Sequence, residues 1–185
     1  MHIDPHVYTT RPGGMRLPQE TAVYDLLDRL QVPYWRVDHE AAATVDSCRD
    51  VERILGIAIC KNLFLCNRQK TAFYLLMMPG DKPFHTRDLS AQIGSSRLSF
   101  ADPAHMWTFL HVTPGSVSIL GLMHDADNCV RLLMDREVVE SVYLGCHPCI
   151  NTTSLRLATA DVLGKFLPAV GHTYTVVDLP ALAGQ

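Results

Sequence analysis

Apolar positions Ala22, Val23, Leu26, Leu27 and Leu30 recur every three or four residues, the interval that lines one face of a helix over 18–31, with Pro18 in its first turn. Val32-Pro33 ends that run, and 34–38 reads as a short strand. A helix is expected over 48–55, with Ser47 and Asp50 as its starting pair and Gly56 as its stop. The period then changes. Residues 57–66 (IAICKNLFLC) and 71–78 (TAFYLLMM) are nearly continuous apolar runs joined by the polar turn 67–70, which predicts a hairpin. Thr86 predicts the cap of a helix to Ile93 closed by Gly94, 97–100 is extended, and Asp102-Pro103 opens a helix to Leu110. Further strands are expected at 130–134, from 141 onward, at 152–157 and at 174–178. Thr159 predicts the cap of a helix over 160–167, and Gly171 breaks the chain after it.

Roughly five to eight strands interleaved with short helices predict an α/β (α+β) single domain, with a mixed, mostly antiparallel sheet curled toward a barrel and short helices around it. The length of 185 residues suits one domain, and 48% apolar residues suffice for a core without staples. Residues 1–15, with two prolines and Gly13-Gly14, predict a flexible arm ahead of a domain over 16–185. The start of the chain lacks a basic stretch followed by an apolar one, and no apolar run reaches the roughly 18–20 residues of a membrane span. The six cysteines lie mostly in apolar segments, as reduced core thiols do, so a cytoplasmic location is expected.

The net charge of −3 argues against a general nucleic-acid binder, but the charge is unevenly spread. Residues 49–97 hold eight Lys/Arg against four acids, leaving eight against fifteen elsewhere. One basic face could meet a phosphate backbone; scattered solvated charges would give the same count.

Three stretches carry candidate chemistry. In 141–157 (SVYLGCHPCINTTSLRL), Gly145 allows backbone angles closed to other residues and Pro148 stiffens the bend. Between them stands His147, whose side chain titrates near neutrality. Cys146 and Cys149 make a C-x-x-C, the pattern of a redox dithiol or half a zinc site. No second pair accompanies it, and a strand pattern follows in place of the helix that would lower a thiol pKa. Lys61, inside an apolar strand, must face a cleft or meet a carboxylate: it is a catalytic or substrate-holding cation, or its stem snorkels to the sheet edge. Asn62 points to the opposite face of a regular strand, and only a bulge would bring the two into one pocket. In 113–122, Gly115 and Gly121 bracket Ser116 and Ser118. These hydroxyls, with Thr152 and Thr153, either bond a substrate or satisfy loop backbone. No Gly-x-Ser-x-Gly elbow, phosphate loop or dinucleotide fingerprint occurs.

Taken together and in order, K-N-L-F-L (from Lys61), P-G-S-V-S-x-L-G-L (from Pro114) and G-x-H-P with N-T (Gly145 to Thr152) resemble the editing domains associated with prolyl-tRNA synthetase. The resemblance is strongest to the free-standing deacylases that hydrolyse mischarged alanyl-tRNA(Pro), and it spans about residues 17–179. It implies an aminoacyl-tRNA deacylase with Lys61, His147 and Gly145 at the catalytic centre. Asn62, Gly115, Ser116, Ser118, Gly121, Pro148, Asn151 and Thr152 would bind substrate, without metal or cofactor. The implied partners are the tRNA acceptor stem and prolyl-tRNA synthetase, with no membrane. Two other classes stay open at this point: a non-catalytic tRNA-binding module, and a thiol oxidoreductase using Cys146 and Cys149.

Overall fold

The structure, a computed structural model, describes residues 2–41 and 45–181, with the side chains of 45–48 left out. Helix α1 (Pro18–Arg29) buries Val23, Leu26 and Leu27 of the expected stripe together with Tyr24, while Ala22 and Leu30 are half-buried. Strand β1 (Tyr34–Asp38) leads to α2 (Val45–Leu55), which starts before residue 48 and is followed by Gly56 at φ 66°. The expected Ser47 cap lies outside the described side chains.

Strands β2 (Lys61–Asn67) and β3 (Phe73–Met78) form the hairpin in unbroken antiparallel register, Lys61 opposite Met78 and Cys66 opposite Phe73. The first strand is shorter than the 57–66 expected because the preceding residues serve another neighbour. Ile59 bridges in parallel to Gly145, and Cys60 N–H donates to the Gly145 carbonyl at 3.2 Å. Helix α3 (Thr86–Ile93) takes His85, not Thr86, as its cap and ends on Gly94 in the left-handed region. Strand β4 (Leu98–Phe100) precedes α4 (Pro103–Leu110), where the Asp102 carboxylate accepts from His105 N–H at 3.0 Å. After a 3₁₀ helix (Ile119–His124) come β5 (Val130–Asp135), α5 (Arg136–Glu140), β6 (Tyr143–Cys146) and β7 (Thr153–Ala158). A helical stretch over 159–169 has a π turn at Val162–Phe166, and Ala158 is its cap where Thr159 was expected; β8 (Tyr174–Val177) closes the chain.

The strands make two open sheets in place of one curled toward a barrel. One is β1-β7-β6, antiparallel throughout; the other is β4-β2-β3-β5-β8, with β3–β5 and β5–β8 parallel. The main core joins both sheets, with Phe64, Leu75, Met77 and Leu132 of the larger meeting Leu144, Leu155 and Leu157 of the smaller. On the larger sheet's other face Leu65, Leu76 and Met78 pack with Leu89 of α3. With both faces covered, β3 is buried at all its positions, which is why it reads as a continuous apolar run and not an alternating one.

Two long-range features escaped the sequence pattern. The amino-terminal segment, expected as a loose arm, lies along β1. Asp4 N–H donates to Asp38 O at 2.9 Å, Tyr8 and Arg36 exchange backbone bonds, and the Arg36 guanidinium sits 4.3 Å over the Tyr8 ring. Lys82 is buried, its ammonium 3.0 Å from both Asp135 carboxylate oxygens, 2.8 Å from Glu137 and 3.2 Å from Leu179 O. Among the described residues, no helix is long and apolar enough to cross a membrane.

Candidate active site

The bridge between the sheets, where β2 begins beside β6, opens into a small cavity. Cys60, Asn62, Gly115, Val117 and His147 line its ≈ 150 Å³. Three grooves among the described residues are larger, ≈ 530 Å³ beside β5 and β8, ≈ 380 Å³ between α1 and β1 and ≈ 660 Å³ beside β4. Among the described residues, the small cavity is the one of these four that brings a titratable side chain together with a buried side-chain atom lacking a partner.

His147 is held from behind. Its Nδ1 lies 2.8 Å from the Thr153 carbonyl, an oxygen that can only accept, so Nδ1 carries the proton and Nε2 the lone pair. Nε2 makes no hydrogen bond among the described residues. Burial pushes the imidazole pKa below its ordinary 6.5, outweighing the Thr153 bond, and the His39 ring 6.2 Å away adds to the lowering. The ring is therefore a neutral base at pH 7. The backbone of His147 is fixed too: Ser118 Oγ donates to its carbonyl at 2.6 Å and caps the 3₁₀ helix through Leu120 N–H. Thr153 in turn donates through Oγ1 to Asp38 at 2.8 Å, tying the β7 end of the loop to β1.

Asn62 supplies the second polar group. Its Nδ2 donates to Cys60 O at 3.1 Å, while Oδ1 is buried with no partner. The Gly115 and Val117 N–H groups likewise have no acceptor among the described residues. Gly115 is at φ 86°, so glycine serves the turn, and a Cβ there would stand in ordinary contact with Asn151 Nδ2 at 3.4 Å.

The other residues singled out in the sequence sit elsewhere. Strand β2 carries no bulge, so Lys61 faces away from Asn62 and donates to Lys82 O at 2.8 Å. Gly145 lies inside β6 and not in the loop. Its φ is not positive, and its need for glycine is steric: a Cβ would come within 2.7 Å of Ile57 Cδ1 and 3.1 Å of Ala58 O. The left-handed residue of the loop is Cys149, at φ 61°. Ser116 closes its own turn, accepting from Thr113 N–H and donating to Thr113 O. Gly121 is packed on the Leu110 carbonyl, Pro148 is buried, and Thr152 is exposed. Cys60 and Val117 are lining residues the sequence reading missed; period-two alternation from Asn62 would have found Cys60.

The C-x-x-C does not have the surroundings of a redox dithiol. Burial pushes the Cys149 thiol up to about 12 and the Cys146 thiol up as well, and Cys146 ends a strand instead of opening a helix. Among the described residues no group of three or more His, Cys, Asp or Glu is placed to hold a metal ion.

Comparison with known proteins decides the family. The model of the aminoacyl-tRNA editing domain matches residues 39–164, which include every lining residue of the cavity. The chain belongs to the aminoacyl-tRNA editing domain family. It is an aminoacyl-tRNA deacylase by that membership, and its substrate class is aminoacyl-tRNA. Among relatives, the prolyl-tRNA editing protein ProX of Acetoanaerobium sticklandii is 28% identical, aligned over 89% of this chain and 100% of its own. The prolyl-tRNA synthetase associated domain-containing protein 1 of Bos taurus is 32% identical over 74% of this chain and 81% of its own. The editing-domain fold is shared with a solved structure described as a candidate trans-editing enzyme for prolyl-tRNA synthetase. That match has a TM-score of 0.66 at 14% identity and covers 89% of this chain and 98% of the other.

Proposed function

We propose that this editing domain acts in trans, in the cytoplasm, on alanine mischarged to tRNA(Pro), with residues 16–185 as the working unit and 1–15 as its arm. The observation that supports the reading is one small cavity lined by His147, Asn62, Gly115 and Val117, residues that carry an unpaired imidazole nitrogen, a buried unpaired amide oxygen and two turn N–H groups without an acceptor among the described residues. His147 Nε2 takes a proton from water, directly or through the ribose hydroxyl next to the ester, as the water oxygen attacks the ester carbonyl, and later returns that proton to the departing ribose oxygen. The Gly115 and Val117 N–H groups stabilise the oxyanion of the tetrahedral intermediate. Asn62 Oδ1, an acceptor, receives the α-ammonium of the aminoacyl group. Expelling the ribose oxygen completes hydrolysis.

Selection against proline would come from a wall and not from the cavity's volume of ≈ 150 Å³: Cys60 and Val117 would form it, and a rigid wall rejects an added ring more strongly than an apolar pocket rewards a missing methylene. The phosphate-facing surface narrows to Arg68, Arg87 and Arg97. Lys82 is in the core, whereas Arg53 and Lys70 are tied to Asp50 and Asp102. Lys61, on the reverse face of β2 from Asn62, then holds the 3′-terminal phosphate and does not take part in bond cleavage. Association with prolyl-tRNA synthetase would deliver the charged tRNA.

The deciding assay is release of labelled amino acid from alanyl-, cysteinyl- and prolyl-tRNA(Pro). Fast loss of alanine alone supports the reading, loss of cysteine keeps the chemistry and changes the pocket, and loss of prolyl-tRNA overturns the sieve. Lys61→Ala should raise KM by about tenfold or more, as for a lost charged hydrogen bond, with kcat much less affected. A fall confined to kcat would move Lys61 into the chemistry.

A further inference from the structure

Beyond the cavity, at the join of α4 and the 3₁₀ helix, three rings form a ladder. Trp107 stacks on His111 with centroids 5.4 Å apart and planes 15° apart, and His111 stacks on His124 at 4.1 Å and 19°. The ladder has one closed and one open end. His124 is half-buried, with its Nε2 buried and unpartnered, whereas Trp107 is 51% exposed. His111 holds the middle because it is the α4 C-cap in the left-handed region, φ 51° and ψ 38°, a conformation more accessible to His than to most side chains. We propose that the open face of Trp107, backed by His111 and His124, is a stacking platform for an unpaired base at the 3′ end of the tRNA.

The proposal rests on the deacylase reading and adds a base-binding subsite to it. Three observations select this occupant. First, the ladder and the cavity share one short segment. His111 is four residues from Gly115, a span of at most about 14 Å, so a strand whose terminal ribose sits in the cavity passes close to the ladder. Second, the rings run from the half-buried His124 to the exposed His111 and Trp107, so the Trp107 end of the ladder offers aromatic surface to solvent. Third, the substrate class of the family carries an unpaired 3′ end, and unstacked bases are held on aromatic faces with little regard to sequence. The platform would bind the strand; it touches no reacting atom.

The test uses the full chain. On alanyl-tRNA(Pro), Trp107→Ala should raise KM about tenfold, the scale of one lost base–aromatic stack, with kcat unchanged and Trp107→Phe close to wild type. Substrates made abasic at single unpaired 3′ positions should include one that costs the wild type the same factor and costs Trp107→Ala nothing more. Equal KM for wild type and Trp107→Ala, or an equal further loss on every abasic substrate, overturns the platform. A second readout does not need catalysis. With Trp35→Phe, Trp107 is the sole tryptophan, and its fluorescence should be quenched by an uncharged RNA minihelix with an unpaired 3′ end but not by the abasic version. If the wild type releases no amino acid from any charged tRNA, the deacylase reading fails, and the quenching alone decides the platform: quenching by the intact end supports it, and none overturns it.

Discussion

The two faces of β2 meet opposite surroundings. Cys60 and Asn62 look into the cavity, whose polar groups are neutral and partly without partners. Lys61 looks the other way, toward the carbonyl of Lys82, beside an ion cluster in which each charge is used: Lys82 with Asp135 and Glu137, and Asp135 also with the N–H groups of Glu137 and Leu179. The contrast separates the side that receives the aminoacyl group from a side closed by its own ion cluster, with Lys61 half-buried beside that cluster. Buried polar atoms in folded proteins are nearly all paired, so the buried and unpaired Asn62 Oδ1 marks the side a ligand completes. A buried ion pair satisfied from every direction says little about chemistry and much about the cost of breaking it.

Removing the imidazole should have the largest effect on the cavity side. His147→Ala is expected to lower kcat about 10²- to 10⁴-fold, the range for a lost general base, while affinity for charged tRNA is kept. The pH profile sharpens the assignment. Burial lowers the imidazole pKa below 6.5, so the acid limb of the activity profile should have its midpoint below 6.5. The unfolded chain takes up that proton first, so stability also falls with pH from 6.5 down toward the folded pKa. An acid limb at or above 6.5 would remove Nε2 from the proton transfer.

On the ion-cluster side the corresponding change is Asp135→Ala. It leaves the Lys82 ammonium, 8% exposed, without its main partner, and should cost about 3–5 kcal/mol in chemical denaturation. At a permissive temperature the surviving folded protein should keep its kcat. Loss of kcat in step with stability would mean that the two faces of β2 are coupled and the contrast is false.

The same contrast explains what the sequence could and could not reveal. Features encoded within a few residues were legible: most of the α1 stripe, the β2–β3 hairpin, the Asp102 cap, the Gly56 and Gly94 stops, and a turn around His147, expected to open at Gly145 and opening after Cys146. Features made by distant partners were not. Lys82 and Asp135 stand 53 residues apart, Ser118 reaches the His147 carbonyl across 29, and the arm pairs with β1 through backbone groups that carry no side-chain signature. Lys61 shows the limit most sharply. Its oddity in an apolar strand was visible, but the face it takes depends on the absence of a bulge. Gly145 was chosen for the wrong reason: glycine is needed there for contact with residues 57–59, and the backbone angle demanded of the loop falls on Cys149.

Gly145→Ala therefore tests the seam between the faces. The added methyl meets Ile57 Cδ1 at 2.7 Å, Ala58 O at 3.1 Å and Ile59 Cα at 3.1 Å, two of these three being backbone atoms. Overpacking of this kind costs about 1–3 kcal/mol. Because the displaced segment runs into Cys60 and Asn62, KM for alanyl-tRNA should rise along with the loss of stability. A variant as stable and as active as wild type would show that the seam is looser than its contacts indicate.

The smallest effect is expected from the feature most prominent in the sequence. Replacing Cys146 and Cys149 together by alanine removes the C-x-x-C, yet neither thiol is poised to react. Burial pushes Cys149 up to about 12, Cys146 upward too, and the neighbouring Cys60, which does line the cavity, up to about 11. At neutral pH all three are thiols, and the thiolate is the reactive form. Alanine keeps a Cβ at the left-handed position of residue 149, so the backbone there is no more strained than before. The double variant should release alanine from alanyl-tRNA at the wild-type rate, with or without reductant, and lose only the packing of two small buried side chains. A folded double variant that has lost turnover would return the thiols to the chemistry, and with them the cavity's claim to work through neutral groups alone.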